Sequence, residues 1–529
     1  MSKIADYLSE RLTGEIATDI ATRELFSTDG SIFKITPQLV IYPRTINDIR
    51  KIARFSWRLA ERGQIVPLTP RGYGSDPTGS AIGSGAILSF SDYMSQILEF
   101  DFKNQLLRVQ PGLSFSALQE AMATHGLFLP VKPTNPAATI GGVIAQGISG
   151  ARSMKYGSIL DRVDRLEVVL ANGEIIETER LSKRELNRKK GLQTMEGEIY
   201  RALDTLIDEN VDEISAFGQS EVLSKSGFPL HLVKESDGSF DLTPLFVGSQ
   251  GTLGIISQAI IQLNFRPEKT TLMAFALNSE QNLTELTDKI MSLEPSKVEF
   301  INVDTLKLAE SISGDKRWKS LASEYSEVVI LVEFDDKGQA RKVKKLNKAL
   351  TGVGVEGVEV AIEYEDQEKL QSIFSSKSAI MRFNERGTAA LPITSGIAIQ
   401  PSQMADFIAV AKKVLKRNHI DGGIWGNLDN GIITIMPLIN LANLGQRQTV
   451  FKFMKEIRAQ VLEFNGSISG EFGDGRLNAP FATDQYGEKM MEIFTKIKSI
   501  FDPYNILNPG IKVDTTRDEL LDIMRKEYK

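Results

Sequence analysis

Apolar and polar residues alternate in two different ways along the first 110 residues. From Ile4 to Ile20 an apolar residue falls at every fourth position, which predicts a helix over residues 3–26. Residues 37–42 form a short apolar run that Pro43 ends, as expected of a strand. Residues 45–62 again show helical spacing, and Thr45 stands where a helix cap is expected.

Further strands are predicted at Ile65–Leu68, Ala86–Phe90 and Gln105–Val109, with a helix over Ser116–His125. Residues 166–176 are typical of a hairpin turned by Asn172-Gly173. This succession of strands and helices indicates an α/β or α+β domain.

The second half of the chain continues the alternation without long glycine-rich loops. Strands are predicted at Leu272–Leu277 and Val328–Phe334, and a helix at Leu283–Met291. At the end of the chain, Thr516 and Glu519 fit a capping box for a terminal helix. We expect four segments: a helical segment 1–36, a first domain 37–267, a second domain 268–450, and a segment 451–529 that returns to the first domain.

Three glycine-rich tracts, at residues 70–79, 139–157 and 246–256, each follow a strand-like run. Glycine lets backbone N–H groups approach an anion without an intervening side chain. None of the tracts has Rossmann or Walker spacing, and a single tract of this kind is more often a plain turn. Three in one domain favour a large cofactor that carries phosphate.

Composition narrows the classes of function. The 529 residues are 42% hydrophobic and 25% charged, with a net charge of −6 and only three histidines. The acidic balance argues against a nucleic-acid partner. The absence of cysteine excludes disulfides, cysteine-ligated clusters and a cysteinyl cofactor link.

No apolar run approaches the roughly 18 residues that cross a bilayer, so we expect a cytoplasmic protein without a transmembrane segment. One basic cluster, Lys183-Arg184 with Arg188-Lys189-Lys190, is either a solvated surface or a peripheral contact with an acidic membrane.

Six motifs occur in order along the chain: Phe26–Phe33, Pro70–Gly74, Ala138–Gly142 with Lys155–Gly157, Leu245–Ile255, Gly466–Glu471 and Phe501–Gly510. Taken together, they resemble the FAD-linked oxidases of the vanillyl-alcohol oxidase type. The similarity is greatest to the branch of glycolate oxidase and D-lactate and D-2-hydroxyglutarate dehydrogenases.

The resemblance implies an α+β fold, with a two-part FAD-binding domain of the PCMH type followed by a cap domain on an antiparallel sheet. It implies non-covalent FAD, since no cysteine or histidine stands in a glycine tract. The residues expected to contact the cofactor are Arg71, Gly72, Tyr73, Gly74, Ser75, Asp76, Thr139, Gly141, Gly142, Gln146, Gly147, Gly150, Gly157, Gly254, Ile255, Ile256 and Asn508.

The chain departs from the family at the substrate site. Relatives in this branch hold a divalent metal through histidines, where this chain has Asn427, Thr434 and Phe472. Asn and Thr are poorer ligands for zinc or manganese than imidazole, so we expect no metal. The remaining candidates for catalysis are Glu471 as a base and Lys377 as a cation for the substrate carboxylate, with Arg382 and Arg386 as alternatives to Lys377.

The leading hypothesis is an FAD-dependent oxidoreductase that takes a hydride from a small hydroxylated substrate, a 2-hydroxy acid by resemblance. A second is oxidation of another alcohol or a sugar without metal. A third is a flavin-binding electron relay or scaffold without turnover. The electron acceptor stays open between a quinone, oxygen and an electron carrier, and a nicotinamide is disfavoured because no Rossmann fingerprint is present.

Overall fold

The computed structural model describes residues 3–220, 222 and 224–528. The strands are β1 Glu15–Ala17, β2 Leu39–Tyr42, β3 Leu68–Arg71, β4 Ala86–Ser89, β5 Ile97–Asp101, β6 Leu106–Val109, β7 Leu127–Phe128, β8 Val163–Val169, β9 Ile175–Glu177, β10 Ile255–Gln262, β11 Asn264–Phe265, β12 Thr271–Leu277, β13 Lys297–Asn302, β14 Val328–Phe334, β15 Val355–Ala361, β16 Asn384–Glu385, β17 Thr388–Ala390, β18 Thr394–Ala398, β19 Gly422–Asn427 and β20 Ile432–Asn440.

The α-helices are α1 Lys3–Ser9, α2 Ile20–Leu25, α3 Ile46–Ala60, α4 Phe115–Ala123, α5 Ile140–Gln146, α6 Ser153–Tyr156, α7 Lys183–Lys190, α8 Met195–Glu209, α9 Val211–Gly218, α10 Thr243–Phe246, α11 Leu283–Met291, α12 Val303–Ser313, α13 Gln339–Ala349, α14 Tyr364–Ser375, α15 Lys377–Met381, α16 Met404–Arg417, α17 Leu444–Glu463, α18 Ala482–Phe501 and α19 Arg517–Ile523. Non-helical backbone at Gly487 interrupts α18.

Two sheets build the first half of the chain. Strands β1-β2-β4-β3 form a mixed sheet in which β2, β4 and β3 run parallel. Strands β5-β6-β10-β8-β9 form an antiparallel sheet, and β7 pairs with β11 beside it. The predicted hairpin of β8 and β9 is confirmed, and Gly173 at its turn has φ of 83°.

A larger antiparallel sheet dominates the second half, in the order β15-β12-β14-β13-β19-β20-β17-β16, with β18 also paired to β20. Apolar residues cover both of its faces. In β12, Met273, Phe275 and Leu277 join one buried cluster, and the alternating Leu272 and Ala274 join the other. The expected α+β fold with an antiparallel cap sheet is confirmed.

The predicted single helix over residues 3–26 is wrong, because β1 separates α1 from α2. Thr13 forms two hydrogen bonds to Asp48, from its backbone N–H at 2.9 Å and from its hydroxyl at 2.7 Å. These bonds turn the chain, and residues 15–17 then pair with β2. The predicted caps at Thr45 and Thr516 are both confirmed as capping boxes.

The structure also shows where the predicted strand at Ile65–Leu68 and the basic cluster lie. The strand expected at Ile65–Leu68 begins only at Leu68, directly after Pro67, which has no N–H to donate. The basic cluster lies on α7, where Lys189 and Lys190 form ion pairs with Glu196 and Asp204 of α8. Within the described ranges, no helix has the length and apolar composition needed to cross a membrane.

The end of the chain lies against the mixed sheet. Leu68 of β3 donates its N–H to Ile506 O at 2.7 Å, and Asn508 donates its N–H to Leu68 O at 2.9 Å. Residues 506–508 thereby reach the strand that leads into the first glycine tract. The division of the chain at residues 36, 267 and 450 remains a prediction.

Candidate active site

The three glycine tracts meet around one cleft, which holds about 780 Å³ of space free of protein atoms, including its open mouth. This volume lies within the range of small-molecule and cofactor sites. Twelve of the residues predicted to contact a cofactor line it: Arg71, Gly72, Tyr73, Gly74, Ser75, Asp76, Thr139, Gly141, Gly142, Gln146, Gly254 and Ile256.

The loop after β3 offers unused backbone donors to the cleft. In the described part of the chain, the N–H groups of residues 72–76 donate no hydrogen bond to another protein group. The side chains of the loop, in contrast, are occupied. The Arg71 guanidinium donates to Ala81 O at 3.0 Å, and Asp76 accepts bonds from Ser80 N–H and Gln146 Nε2 at 2.6 and 2.7 Å. A run of free N–H groups in a fixed loop suits an anion such as a pyrophosphate.

The second tract opens α5, which forms another wall of the cleft. Thr139 caps this helix by accepting a hydrogen bond from Gly142 N–H at 3.3 Å. A Cβ on Gly141 would lie 2.7 Å from Pro111 Cβ, so this position needs glycine for close packing. Gly147 ends the helix in the left-handed region, with φ of 67°.

The third tract is tied to α5 through its backbone. Gly248 N–H donates to Ile144 O, and Gln250 N–H donates to Ala145 O, both at 2.9 Å. Beyond Gly254, β10 begins, and its side chains alternate between sides. Ile256 therefore lines the cleft, whereas Ile255 packs in the core of the mixed sheet.

Five residues predicted to contact the cofactor do not line the cleft: Gly147, Gly150, Gly157, Ile255 and Asn508. Asn508 is fully buried behind it and uses its whole side chain within the protein. Its Nδ2 donates to Ser80 O at 2.8 Å and to Gln250 O at 2.7 Å, and its Oδ1 accepts from Thr69 Oγ1 at 3.1 Å. Asn508 thus positions two loops of the cleft.

Glu471 lies where the second tract leaves α5. Its Oε1 accepts hydrogen bonds from Ser149 N–H at 3.3 Å and Gly150 N–H at 3.2 Å. Its Cβ also packs near Gly396 of β18 in the large sheet. Removal from water raises the pKa of the Glu471 carboxyl, although both N–H groups and the charge of Lys225 oppose this shift. A raised pKa makes a carboxylate a stronger base, which favours a role in proton transfer.

Asp474, the other carboxylate of this segment, is structural. It is fully buried and accepts hydrogen bonds from Gly227 N–H at 2.7 Å and from Ser469 Oγ at 2.9 Å, with Lys512 Nζ at 3.4 Å. With its oxygens occupied in this way, Asp474 is unsuited to act as a base.

Lys377 begins helix α15. Its Nζ lies 3.7 Å from Oε1 of Glu299, a residue of strand β13 in the large sheet. The alternative cations, Arg382 and Arg386, are exposed.

Asn427 and Thr434 lie on β19 and β20, and Phe472 has a φ of 69°. In the described ranges, no group of three or more His, Asp or Glu side chains is arranged to hold a metal ion. The residues present therefore do not fit the metal that the resemblance implies.

Sequence reasoning missed Gln250, which links the cleft to the segment of Glu471. Its Nε2 donates to Phe472 O at 3.0 Å, and its Oε1 accepts from Gly475 N–H at 2.9 Å. It also missed Lys225, whose Cδ would lie 3.5 Å from a Cβ on Gly147. A polar residue inside a glycine tract was the only signal for Gln250, and nothing in the sequence marked Lys225.

Two family models match the chain in succession: the FAD binding domain over residues 37–179 and the C-terminal domain of FAD linked oxidases over residues 266–511. The 4-ethylphenol oxidase of Gulosibacter chungangensis has a similar fold, with a TM-score of 0.71, 16% identity and 97% coverage of both chains.

Curated relatives are similar over most of this chain. D-2-hydroxyglutarate dehydrogenase of Pantoea ananatis is 27% identical over 95% of this chain and 50% of its own length. Glycolate oxidase subunit GlcD of Bacillus subtilis is 27% identical over 93% of this chain and 92% of its own length. The chain thus spans about half the length of the D-2-hydroxyglutarate dehydrogenases that it matches. With both domain models matched in order, the chain belongs to the FAD-linked oxidases, and FAD is the cofactor of its binding domain.

Proposed function

We propose that the protein is an FAD-dependent oxidoreductase that oxidises a small 2-hydroxy acid to the corresponding 2-oxo acid. The observation that carries the proposal is the position of Glu471, bonded to Ser149 and Gly150 directly beyond the helix that lines the cleft. The free N–H groups of residues 72–76 would hold the FAD pyrophosphate. FAD, when bound, supplies the acceptor for the hydride.

The chemistry left to the protein is proton transfer and orientation. Glu471 would accept the proton of the substrate hydroxyl as the adjacent carbon loses its hydride. Its raised pKa brings it closer to neutral pH, where a general base works best. Relatives named for D-2-hydroxyglutarate, glycolate and D-lactate support the choice of a 2-hydroxy acid.

One observation favours a second candidate, oxidation of a different alcohol or a sugar. Asn427, Thr434 and Phe472 stand at the positions where the family resemblance implies metal-binding histidines. A substrate without a 2-hydroxy acid group would need no such metal. A flavin-binding relay without turnover is the third candidate, and it differs from the other two in leaving the flavin oxidised when substrate is added.

The test is the visible spectrum of the FAD-loaded protein under anaerobic conditions, before and after addition of a panel of D-2-hydroxy acids, alcohols and sugars. Bleaching of the flavin by one hydroxy acid is the expected result, and bleaching only by an alcohol or a sugar would select the second candidate. An unchanged spectrum with the whole panel would favour the relay. Repeating the assay with a chelator tests the metal, and we expect the rate to be unchanged.

The proposal includes an electron acceptor other than a nicotinamide. Reoxidation of the reduced protein by a soluble quinone, by oxygen or by a one-electron carrier can be followed by return of the flavin band. We expect at least one of these to restore it and NAD to leave it bleached.

A further inference from the structure

Gln250 lines the cleft, and the polar atoms of its side chain are fully occupied by neighbouring protein groups. The residue is 3% exposed. Its Nε2 donates one hydrogen bond to Phe472 O at 3.0 Å and the other to Thr78 Oγ1 at 3.1 Å, and its Oε1 accepts Gly475 N–H at 2.9 Å. Because only the nitrogen of an amide donates and only its oxygen accepts, these three partners fix the orientation of the amide.

The main chain of Gln250 is held as firmly as its side chain. Its N–H donates to Ala145 O at 2.9 Å, and its carbonyl oxygen accepts Asn508 Nδ2 at 2.7 Å. Its φ is 55°, in the left-handed region that residues with a Cβ rarely adopt. With its backbone and side chain both bonded, Gln250 presents a rigid donor and a rigid acceptor to the segment that follows Glu471.

The bonds from Gln250 reach a turn with unusual backbone angles. Phe472 has a φ of 69°, and Gly473 and Gly475 follow with φ of 75° and 54°. Glycine adopts such angles freely, but a bulky residue such as phenylalanine is an outlier there. Such a conformation persists only where the surrounding structure holds it. The Gln250 amide holds it on both sides of Gly473, at Phe472 O and at Gly475 N–H.

Glu471 directly precedes this turn and faces the second glycine tract. Its N–H donates to Gly396 O at 2.9 Å, and its carboxylate accepts the N–H groups of Ser149 and Gly150 at 3.3 and 3.2 Å. The two carboxylate bonds are at the long end of the normal range, so they hold the carboxyl only weakly. The position of the carboxyl therefore depends on the main chain that follows, which Gln250 supports at the next residue.

Thr78 connects the same amide to the loop of free N–H groups at residues 72–76. Its hydroxyl accepts from Gln250 Nε2 and donates to Asp76, at 2.9 Å from each carboxylate oxygen. Asp76 ends that loop and also accepts Ser80 N–H at 2.6 Å. One chain of hydrogen bonds thus runs from the loop, through Thr78 and Gln250, to the residue after Glu471.

We propose that Gln250 is a positioning residue, which keeps Phe472 in the left-handed conformation and thereby sets the place of the Glu471 carboxyl beside the cofactor cleft. The inference rests on the proposed function for the role of Glu471 as a base, but not for the placement of its carboxyl. Gln250 acts through the turn and not on the substrate. Its loss should therefore slow the chemical step more than it weakens substrate binding.

Hydrogen exchange of the FAD-loaded protein tests the placement without a substrate. The N–H groups of Ser149 and Gly150 bond to the Glu471 carboxylate, so their exchange reports on its position, and mass spectrometry with fragmentation resolves them. In Gln250→Met, which has a similar size but no amide, we expect both to exchange at least about five times faster. Gln250→Glu keeps the shape but, when ionised, cannot donate to Phe472 O, and the same acceleration is expected in this second variant.

Gln485 of α18 provides the matched control. Its Nε2 donates to Gly466 O and its Oε1 accepts Ile468 N–H, both at 3.3 Å. It therefore makes the same pair of backbone bonds as Gln250, but to the chain before Glu471. In Gln485→Met the exchange at Ser149 and Gly150 should match that of the native protein.

The rate of flavin reduction gives a second measurement. With the hydroxy acid that bleaches the native protein, we expect Gln250→Met to lower the limiting rate of reduction by about tenfold to a hundredfold. The Kd of the substrate should change by less than about threefold. A Kd that rises as much as the rate falls would contradict a role through Glu471.

A second change, at Phe472, separates positioning from a general loss of packing. Asparagine adopts the left-handed region more readily than phenylalanine, so a turn with Phe472→Asn depends less on the Gln250 amide. In the Phe472→Asn background we expect Gln250→Met to slow reduction by less than about fivefold. An effect of equal size in both backgrounds would overturn the positioning role.

Unchanged exchange at Ser149 and Gly150 in Gln250→Met, or equal acceleration in Gln485→Met, would also overturn the inference. Failure of the proposed function looks different. In that case no hydroxy acid bleaches the flavin of the native protein, while the exchange at Ser149 and Gly150 still depends on Gln250 and not on Gln485.

Discussion

The Lys498 ammonium lies 2.6 Å from Asp502 Oδ2, with both side chains almost entirely buried. Lys498 Nζ also donates to Thr252 O at 2.9 Å and to Leu507 O at 2.7 Å. Asp502 in turn accepts Ile506 N–H at 3.0 Å and Leu507 N–H at 2.6 Å. This pair joins the end of α18, the third glycine tract and the returning chain before Asn508, so that it supports the cleft from behind.

Replacing Lys498 with Met should therefore destabilise the protein strongly, because Asp502 would be left buried without its counter-charge. We expect a loss of about 3–5 kcal/mol in the free energy of unfolding, measured by urea denaturation with FAD present. The double variant Lys498→Met, Asp502→Asn should recover part of that loss. If the double variant is as unstable as the single one, the charge pair is not the source of the effect.

Gly72 is the glycine of the first tract with the least room for a side chain. A Cβ there would overlap Oγ1 of Thr139, the cap of α5. We expect Gly72→Ala to displace the loop of free N–H groups and to reduce the FAD retained after gel filtration by at least tenfold. Gly191→Ala, at an exposed helix end with φ of −76°, is the control that should retain FAD. Full FAD occupancy in Gly72→Ala would show that the loop tolerates the movement.

The elements predicted best from sequence are those fixed by local periodicity. Helix α11 and strand β14 match their predicted bounds residue for residue. The helix expected over residues 3–26 is wrong because the Thr13–Asp48 bonds are tertiary and leave no local pattern. In the same way, the motifs identify Gly72 and Thr139, but only the fold shows that Thr139 leaves no room for a side chain at position 72.

The electrostatics of the site could not be predicted for the same reason. Lys297 and Lys377 are far apart in sequence, and both approach Glu299 only because the fold brings the start of α15 beside β13. Asn508, in contrast, is identified by its motif, and the fold adds that its side chain supports Ser80 and Gln250.

Glu471→Gln tests the proposed base, because the amide oxygen can still accept the bonds from Ser149 and Gly150. We expect FAD content to be retained and kcat to fall by about a hundredfold or more. In the native protein, kcat/KM should fall as the pH drops below the raised pKa of Glu471. The variant should lose this dependence.

The control for that profile is Glu488→Gln, an exposed carboxylate on α18, which should keep both the native rate and the native pH profile. A Glu471→Gln variant that keeps the native rate at every pH would rule Glu471 out as the base.

Asp429 gives a prediction about stability and pH that does not depend on catalysis. Burial raises its pKa from 3.8 to about 8, so the folded protein binds a proton that the unfolded chain releases above about pH 4. Stability from this group is therefore greatest at low pH and is lost as the pH rises towards 8, by about 1.4 kcal/mol per pH unit. Asp429→Asn cannot ionise, so its free energy of unfolding should rise relative to the native protein between pH 5 and pH 8.

Urea denaturation of both proteins at pH 5, 6.5 and 8 measures this difference directly, and the exposed Asp288→Asn on α11 provides the control. The difference in the free energy of unfolding between the native protein and Asp429→Asn reports on Asp429 alone. The other carboxylates titrate in both proteins, so their contributions cancel in this difference. A difference that stays constant with pH would mean that Asp429 is ionised in the folded state.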